Sequence, residues 1–204
     1  MRQLYALLLC LCLSTSGWCQ ADLPSLIAAW NDTTRSAEDR LQTVKDLHIE
    51  FHQQYPDTVL FYLKEMCDLA ESAEAPLALY SAHNRMGSLL EKQGHLEEAL
   101  ISFDHAEQVA IALGDSARLG TVYGNRGNVH VQRNEYVEAT QHFNRAMDLY
   151  EAVGDAERAN KSRMALGNLF MIIGHQELAM AQFEMVRSGL RDAEDMGYFP
   201  GLLE

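Results

Sequence analysis

The sequence predicts an all-α fold built from stacked antiparallel helix pairs, on three observations. The first is an internal period of forty. Gly87, Gly127 and Gly167 keep that step, as do Ala99, Ala139 and Ala179, and Phe103, Phe143 and Phe183. Gly94, Asn134 and Gly174 share it, with Ala106, Ala146 and Val186, and with Asp115, Asp155 and Asp195. Several independent columns at one period mark a repeat array. The second is that apolar residues inside each repeat recur at steps of three and four, the stripe of an amphipathic helix. The third is composition: Ala, Leu, Glu and Gln are plentiful and there are only 4 Pro, which suits helix interiors.

The chain has 204 residues, enough for one domain or a short array, and 48% are apolar, which rules out wholesale disorder. Its formal net charge is −13. That acid excess argues against nucleic acid or an anionic membrane as partner, since both require dense Lys and Arg.

Residues 1–19 read as a signal peptide. Met1-Arg2-Gln3 is a short basic start, Leu4–Leu13 an apolar run, and Gly17-Trp18-Cys19 places small residues at −3 and −1 of a cut before Gln20. An apolar run of that length rises only ~15 Å as a helix, too short for a bilayer core of ~30 Å. Cleavage near Cys19-Gln20 predicts a periplasmic or secreted protein. It leaves Cys67 as the one remaining cysteine, among Leu63, Met66 and Leu69, where it reads as a small core residue rather than half of a disulfide.

Residues 20–36 form a lead-in segment. Residues 37–76 form a degenerate first unit, with Leu41, Val44, Leu47 and Phe51 on one face, a turn at Tyr55-Pro56-Asp57, and Val59, Leu63, Met66 and Ala70 on the next. Leu47 and Val59 stand where later units carry Gly and Ala. The unit at 77–116 pairs a stripe of Leu79, Ala82, Met86, Leu89 and Leu90 with a second of Ala99, Phe103, Ala106, Ala110 and Leu113. Gly94 breaks the two helices, and Leu113-Gly114-Asp115 supplies a terminating glycine and an N-cap. The units at 117–156 and 157–196 repeat this plan. Gly87 with Ala99, Gly127 with Ala139, and Gly167 with Ala179 mark close helix crossings, next to which Phe103, Phe143 and Phe183 fill the gap to the following helix. Residues 197–204 read as the opening of a further helix.

A Gly, an Ala twelve residues on, a large aromatic four later and an Ala three later in helix–turn–helix units resemble the tetratricopeptide repeat, here in a long form whose unit of forty exceeds the usual 34. The resemblance covers about residues 37–196. It implies a right-handed superhelix, no catalytic centre, no metal or cofactor, and a protein or peptide partner held in a concave groove lined by the first helices. Trp30-Asn31-Asp32-Thr33-Thr34 and Pro56-Asp57-Thr58 are similar to the start of exported Bacteroidetes-like repeat proteins, many of which continue into a membrane span and a kinase, cyclase or DNA-binding output domain. Arg126, Arg163 and Gln176 depart from the family pattern, and the expectation is that they weaken their units. The last unit lacks a polar capping helix, so the chain reads as part of a longer product, with a self-associating end as the alternative.

Residues able to do chemistry are scarce. His48 and His52 lie four apart, but the segment is not the H-E-x-x-H zinc pattern and no third ligand is evident. Gly124-Asn125-Arg126-Gly127 lacks the Lys-Ser/Thr of a phosphate loop. The candidate site is therefore the groove: Asn84, Ser88 and Glu91 in the second unit, Asn125, Asn128 and Gln132 in the third, Asn168 and Met171 in the fourth. Asn128 and Asn168 occupy equivalent places, and an Asn amide offers a peptide backbone both donor and acceptor. The lysines do not form the basic cluster with which family members hold a C-terminal carboxylate. The sequence thus supports a non-enzymatic scaffold binding a protein or peptide outside the cytoplasm. The alternative is the periplasmic sensory part of a longer membrane signalling protein.

Overall fold

The computed structural model describes residues 22–195, with backbone alone for 190–195. The signal peptide and the helix start read over 197–204 lie outside the described residues. Those residues form nine α-helices and no strand. They are α1 (Leu23–Asn31), α2 (Ala37–Phe51), α3 (Pro56–Ser72), α4 (Pro76–Lys92), α5 (Leu96–Ala112), α6 (Ser116–Gln132), α7 (Tyr136–Ala152), α8 (Ala156–Ile172) and α9 (Gln176–Asp195). The chain divides into two compact units between Gln93 and Gly94, so α1–α4 belong to the first and α5–α9 to the second. Within each unit, consecutive helices pack on one another, as in tetratricopeptide folds.

The first unit is organised around Leu47, Val59, Leu63 and Met66, all without exposure. Leu47 and Val59 fill the positions given to Gly and Ala elsewhere, so this hairpin packs branched side chain on branched side chain. Sequence patterning did not assign α1 as a helix. Pro24 opens it, and Leu23 and Trp30 are buried in the same core with Leu26 and Ile27 beside them. Arg40 of α2 ties α1 down, donating from Nε to the Trp30 carbonyl at 2.8 Å with its guanidinium carbon 4.8 Å from the indole centroid.

The second unit shows why the columns are glycine and aromatic. A Cβ on Gly127 would lie 2.5 Å from Cε1 of Phe143, and one on Gly167 would lie 2.5 Å from Cε1 of Phe183. A second contact follows seven residues back along α6 and seven forward along α7, where a Cβ on Gly120 would meet Tyr150 Cε1 at 3.0 Å. Opposite progress along the two helices is the register of an antiparallel pair. Phe143 also clusters with Leu166 and Leu169 of α8, so one ring joins three helices. Ala99, Phe103, Ala106, Ala139, Ala146 and Ala179 have no exposure, and Gly87 of the first unit is buried.

The turns obey a shorter period. Positive φ occurs at Glu74, Gly94, Gly114, Asn134, Gly154 and Gly174, one every twenty residues. At five of these turns the next N–H reaches back to a carbonyl five residues earlier, for instance Asp115 to Ala110 at 3.1 Å and Glu135 to His130 at 2.8 Å. These are the six-to-one bonds of Schellman caps. Asp115 and Asp155 then cap α6 and α8, accepting from the N–H of Arg118 at 2.9 Å and of Arg158 at 3.0 Å. Those backbone bonds, with the adjoining guanidinium, hold both carboxyls below the usual range.

Candidate functional site

The first-helix residues fall on one side of each helix by spacing alone. In α6, Asn125, Asn128 and Gln132 lie at steps of three and four, on the strip between the glycines that meet α7 and the buried pair Val122 and Val129. Asn125 is half-buried, while Asn128 and Gln132 are exposed. In α8, Asn168 and Met171 are exposed on the equivalent strip. In the first unit, Asn84, Ser88 and Glu91 of α4 are half-buried. By helix position, Asn125, Asn128 and Gln132 of α6 and Asn168 of α8 make a polar ladder that ends on an apolar step at Met171. Thr121, at the start of the α6 strip, is committed to the frame, since its Oγ1 accepts the Tyr150 hydroxyl at 2.9 Å.

The face of α6 toward α7 carries a polar system that sequence reasoning missed. Tyr123, His142 and His130 stack in succession, with centroids 5.7 and 4.9 Å apart. The Arg145 guanidinium covers Tyr123 at 4.9 Å, and His130 Nδ1 lies 2.6 Å from Glu135 Oε2. Burial first, then the neighbouring His130 and Arg126, pushes His142 down to about 4. His130 and His142 are twelve apart on different helices, a pattern with no periodic signal.

Arg126 is part of this system, and its role differs from the sequence expectation. Its side chain is 14% exposed and pairs through Nη2 with Asp104 and, at 2.7 Å, with Glu107 of α5. Glu107 also accepts the Tyr123 hydroxyl at 2.6 Å. A leucine there could not engage those acids, so the departure substitutes an ionic contact for an apolar one. Arg163 does likewise, donating to Asn160 at 2.9 Å and to Glu151 at 2.5 Å. A shallow depression on α7 is lined by Gln141, Asn144, Arg145, Asp148 and Leu149, and it is too open to enclose a small molecule.

In the first unit His48 and His52 stack at 5.1 Å. Their Nδ1 atoms are already engaged, one by Arg85 and the other by the His48 carbonyl. Cys67 is buried with Sγ 3.9 Å from His83 Nδ1, and burial pushes its thiol up to about 11, away from nucleophilic character.

Known proteins bear on this geometry at two points. The family model described as tetratricopeptide repeat matches residues 78–152. That stretch is similar to tetratricopeptide repeat sequence. It carries α4 through α7, including the Gly127–Phe143 contact and the first part of the polar ladder. The chain is also similar in structure to BtubC (BKLC) from P. vanneervenii, with a TM-score of 0.69 and 15% identity over 88% of this chain and 74% of that one. At that identity the likeness is one of fold. No curated protein sequence matches the chain.

Proposed function

We propose that this protein is a non-catalytic tetratricopeptide scaffold whose first-helix face binds an extended peptide or a partner helix. The observation that carries this reading is the ladder of Asn125, Asn128, Gln132 and Asn168, set on helices whose adjoining face is fixed by glycine–aromatic packing. A rigid frame presenting amide side chains recognises a peptide backbone with little ordering cost. The tripartite pattern of residues 1–19 supports action in the periplasm or outside the cell. The alternative reading is the periplasmic sensory part of a longer membrane signalling protein, for which the only support is the similarity of Trp30-Asn31-Asp32-Thr33-Thr34 and Pro56-Asp57-Thr58 to the start of exported repeat proteins. Self-association is a further element, supported by Met164, Ile172, Met180 and Met185, each about half exposed or more on the last hairpin.

The test is a peptide-display selection on the purified protein, followed by paired variants. Asn128→Ala is expected to weaken a selected peptide about tenfold while leaving the melting temperature within a degree or so. Ala139→Trp is expected to cost ~1–3 kcal/mol of stability by overpacking a position without exposure. An equal loss of melting temperature in both variants would overturn the assignment of faces.

A further inference from the structure

Phe103 and Phe143 are 0% and 3% exposed, but Phe183, the third ring of that column, is only half-buried. The difference lies in what covers the ring. Tyr136 and Phe143 of α7 join a cluster with Leu166 and Leu169 of α8, and Met147 packs on one that includes Ala159. Forty residues on, the same strip of α9 carries Gln176, Met180, Phe183 and Arg187, at steps of four, three and four. Among the described residues no helix follows α9. Met180, which stands where α7 has Thr140, is 69% exposed.

The charges on this strip are arranged to match a copy of it. Arg187 pairs with Glu184 one turn earlier at 2.5 Å, and both side chains are more than half exposed. Glu177 flanks Met180, and none of the ion pairs among the described residues involves it. A guanidinium has five N–H donors, so Arg187 can keep Glu184 and take a second carboxylate. Glu177 and Arg187 lie ~15 Å apart along the helix, with Met180 and Phe183 between them. Lay a second α9 antiparallel on the strip, with the two-fold axis at the level of Gln182. Each Glu177 then comes opposite the partner's Arg187, and each Met180 comes beside the partner's Phe183. A chain of formal charge −13 repels its own copies, so a self-interface has to set cations opposite its acids. This strip does so.

We propose that the strip of α9 docks a second copy of this chain as an antiparallel, two-fold symmetric helix pair. Met180 and Phe183 form its apolar centre, and Glu177 with the partner's Arg187 closes each end. The inference rests on the self-association element of the proposed function and is independent of the groove on α6 and α8. The end pairs are solvent-exposed, so they fix register and partner choice, while the apolar centre carries the larger share of the affinity.

The experiment is sedimentation velocity of the full chain over a concentration series. The short strip predicts a monomer–dimer equilibrium with a Kd of about 10 μM. Met180→Glu is expected to weaken it roughly tenfold or more by placing carboxylates in the apolar centre. Arg187→Glu is expected to weaken it by setting acid against acid, and Glu177→Arg by setting base against base. The double variant Glu177→Arg, Arg187→Glu is expected to restore association, because the opposed charges are exchanged. All three residues are exposed, and circular dichroism checks that each variant is folded. Should Met180→Glu fail that check, the charge exchange carries the test by itself. A chain still monomeric well above that concentration, a dimer indifferent to Met180→Glu, or a double variant no better than its singles would each overturn the inference. Association that appears only after removal of residues 197–204 would also overturn it, with that segment as the occupant of the strip. Asn128→Ala is expected to leave the dimer unchanged, so loss of peptide binding in that variant tests the groove alone.

Discussion

Phe143 occupies the space that any side chain at Gly127 would need, and the pair recurs forty residues on as Phe183 and Gly167. The contact sets how closely α6 approaches α7. It also gives the repeat its period, because the ring on the second helix and the gap on the first must both be present in each hairpin.

Gly127→Ala is therefore expected to destabilise the protein by about 1–3 kcal/mol, despite the better helix propensity of alanine. The Phe143 ring is 3% exposed and has little room to retreat. Adding Phe143→Leu to Gly127→Ala is expected to recover part of the loss, so the two changes are non-additive by more than about 0.5 kcal/mol. Urea denaturation of the two single variants and the double variant measures this, and simple additivity would contradict direct contact.

Glu74 offers the reverse test. It holds φ +49°, where four of the five equivalent turn residues are glycine and the fifth is asparagine. A glutamate pays a left-handed penalty of ~1–2 kcal/mol, partly offset in a glycine variant by greater unfolded-state freedom. Glu74→Gly is expected to raise stability by about 0.5–1 kcal/mol, measured by thermal melting. A fall would show that the Glu74 side chain is needed elsewhere.

The two depressed histidines predict the response to acid. His48 and His142 each sit at about 4 in the fold against 6.5 when free. Their folded state favours the neutral ring, so this contribution is fully present above pH 6.5 and is lost as pH falls toward 4. With partial solvent screening, the loss at pH 5 is about 1 kcal/mol for each. His142→Gln is expected to flatten the dependence of stability on pH between 7 and 5. His142 faces His130 and Tyr123, with Arg126, Arg145 and Glu107 acting on it. The capping aspartates Asp115 and Asp155 act in the same direction at lower pH, because their depressed carboxyls lose stabilisation only as they protonate.

Asp155→Ala removes the cap of α8 and the carboxylate 2.6 Å from Arg158 Nε, leaving that guanidinium only its contact with Tyr150. The expected cost is about 1 kcal/mol. Hydrogen exchange at the first turn of α8 should rise while α6, capped by Asp115, stays protected.

The architecture was legible because packing writes itself into the chain at a fixed step. Gly127, Ala139 and Phe143 recur for steric reasons, and Gly114 and Asp115 signal a stop and a start. What could not be read was what periodicity does not encode. α1 packs chiefly through Leu23 and Trp30 on one short helix, outside any repeat. The Tyr123–His142–His130 stack and the Arg85–His48 pair join residues from different helices at separations unrelated to forty. Arg126 looked like a defect in its column because the acids that satisfy it, Asp104 and Glu107, belong to a helix one hairpin earlier. The groove residues were chosen by helix position, and the structure leaves Asn128, Gln132, Asn168 and Met171 exposed and Asn84, Ser88, Glu91 and Asn125 half-buried.

The measurement that tests the central claim most directly is an amide chemical-shift map of a display-selected peptide on the isotope-labelled protein. The account predicts that perturbations gather on α6 and α8, at Asn125, Asn128, Gln132, Asn168 and Met171. Perturbations gathered instead on α7 and α9, around Val137, Gln141, Asn144 and Met180, would contradict it.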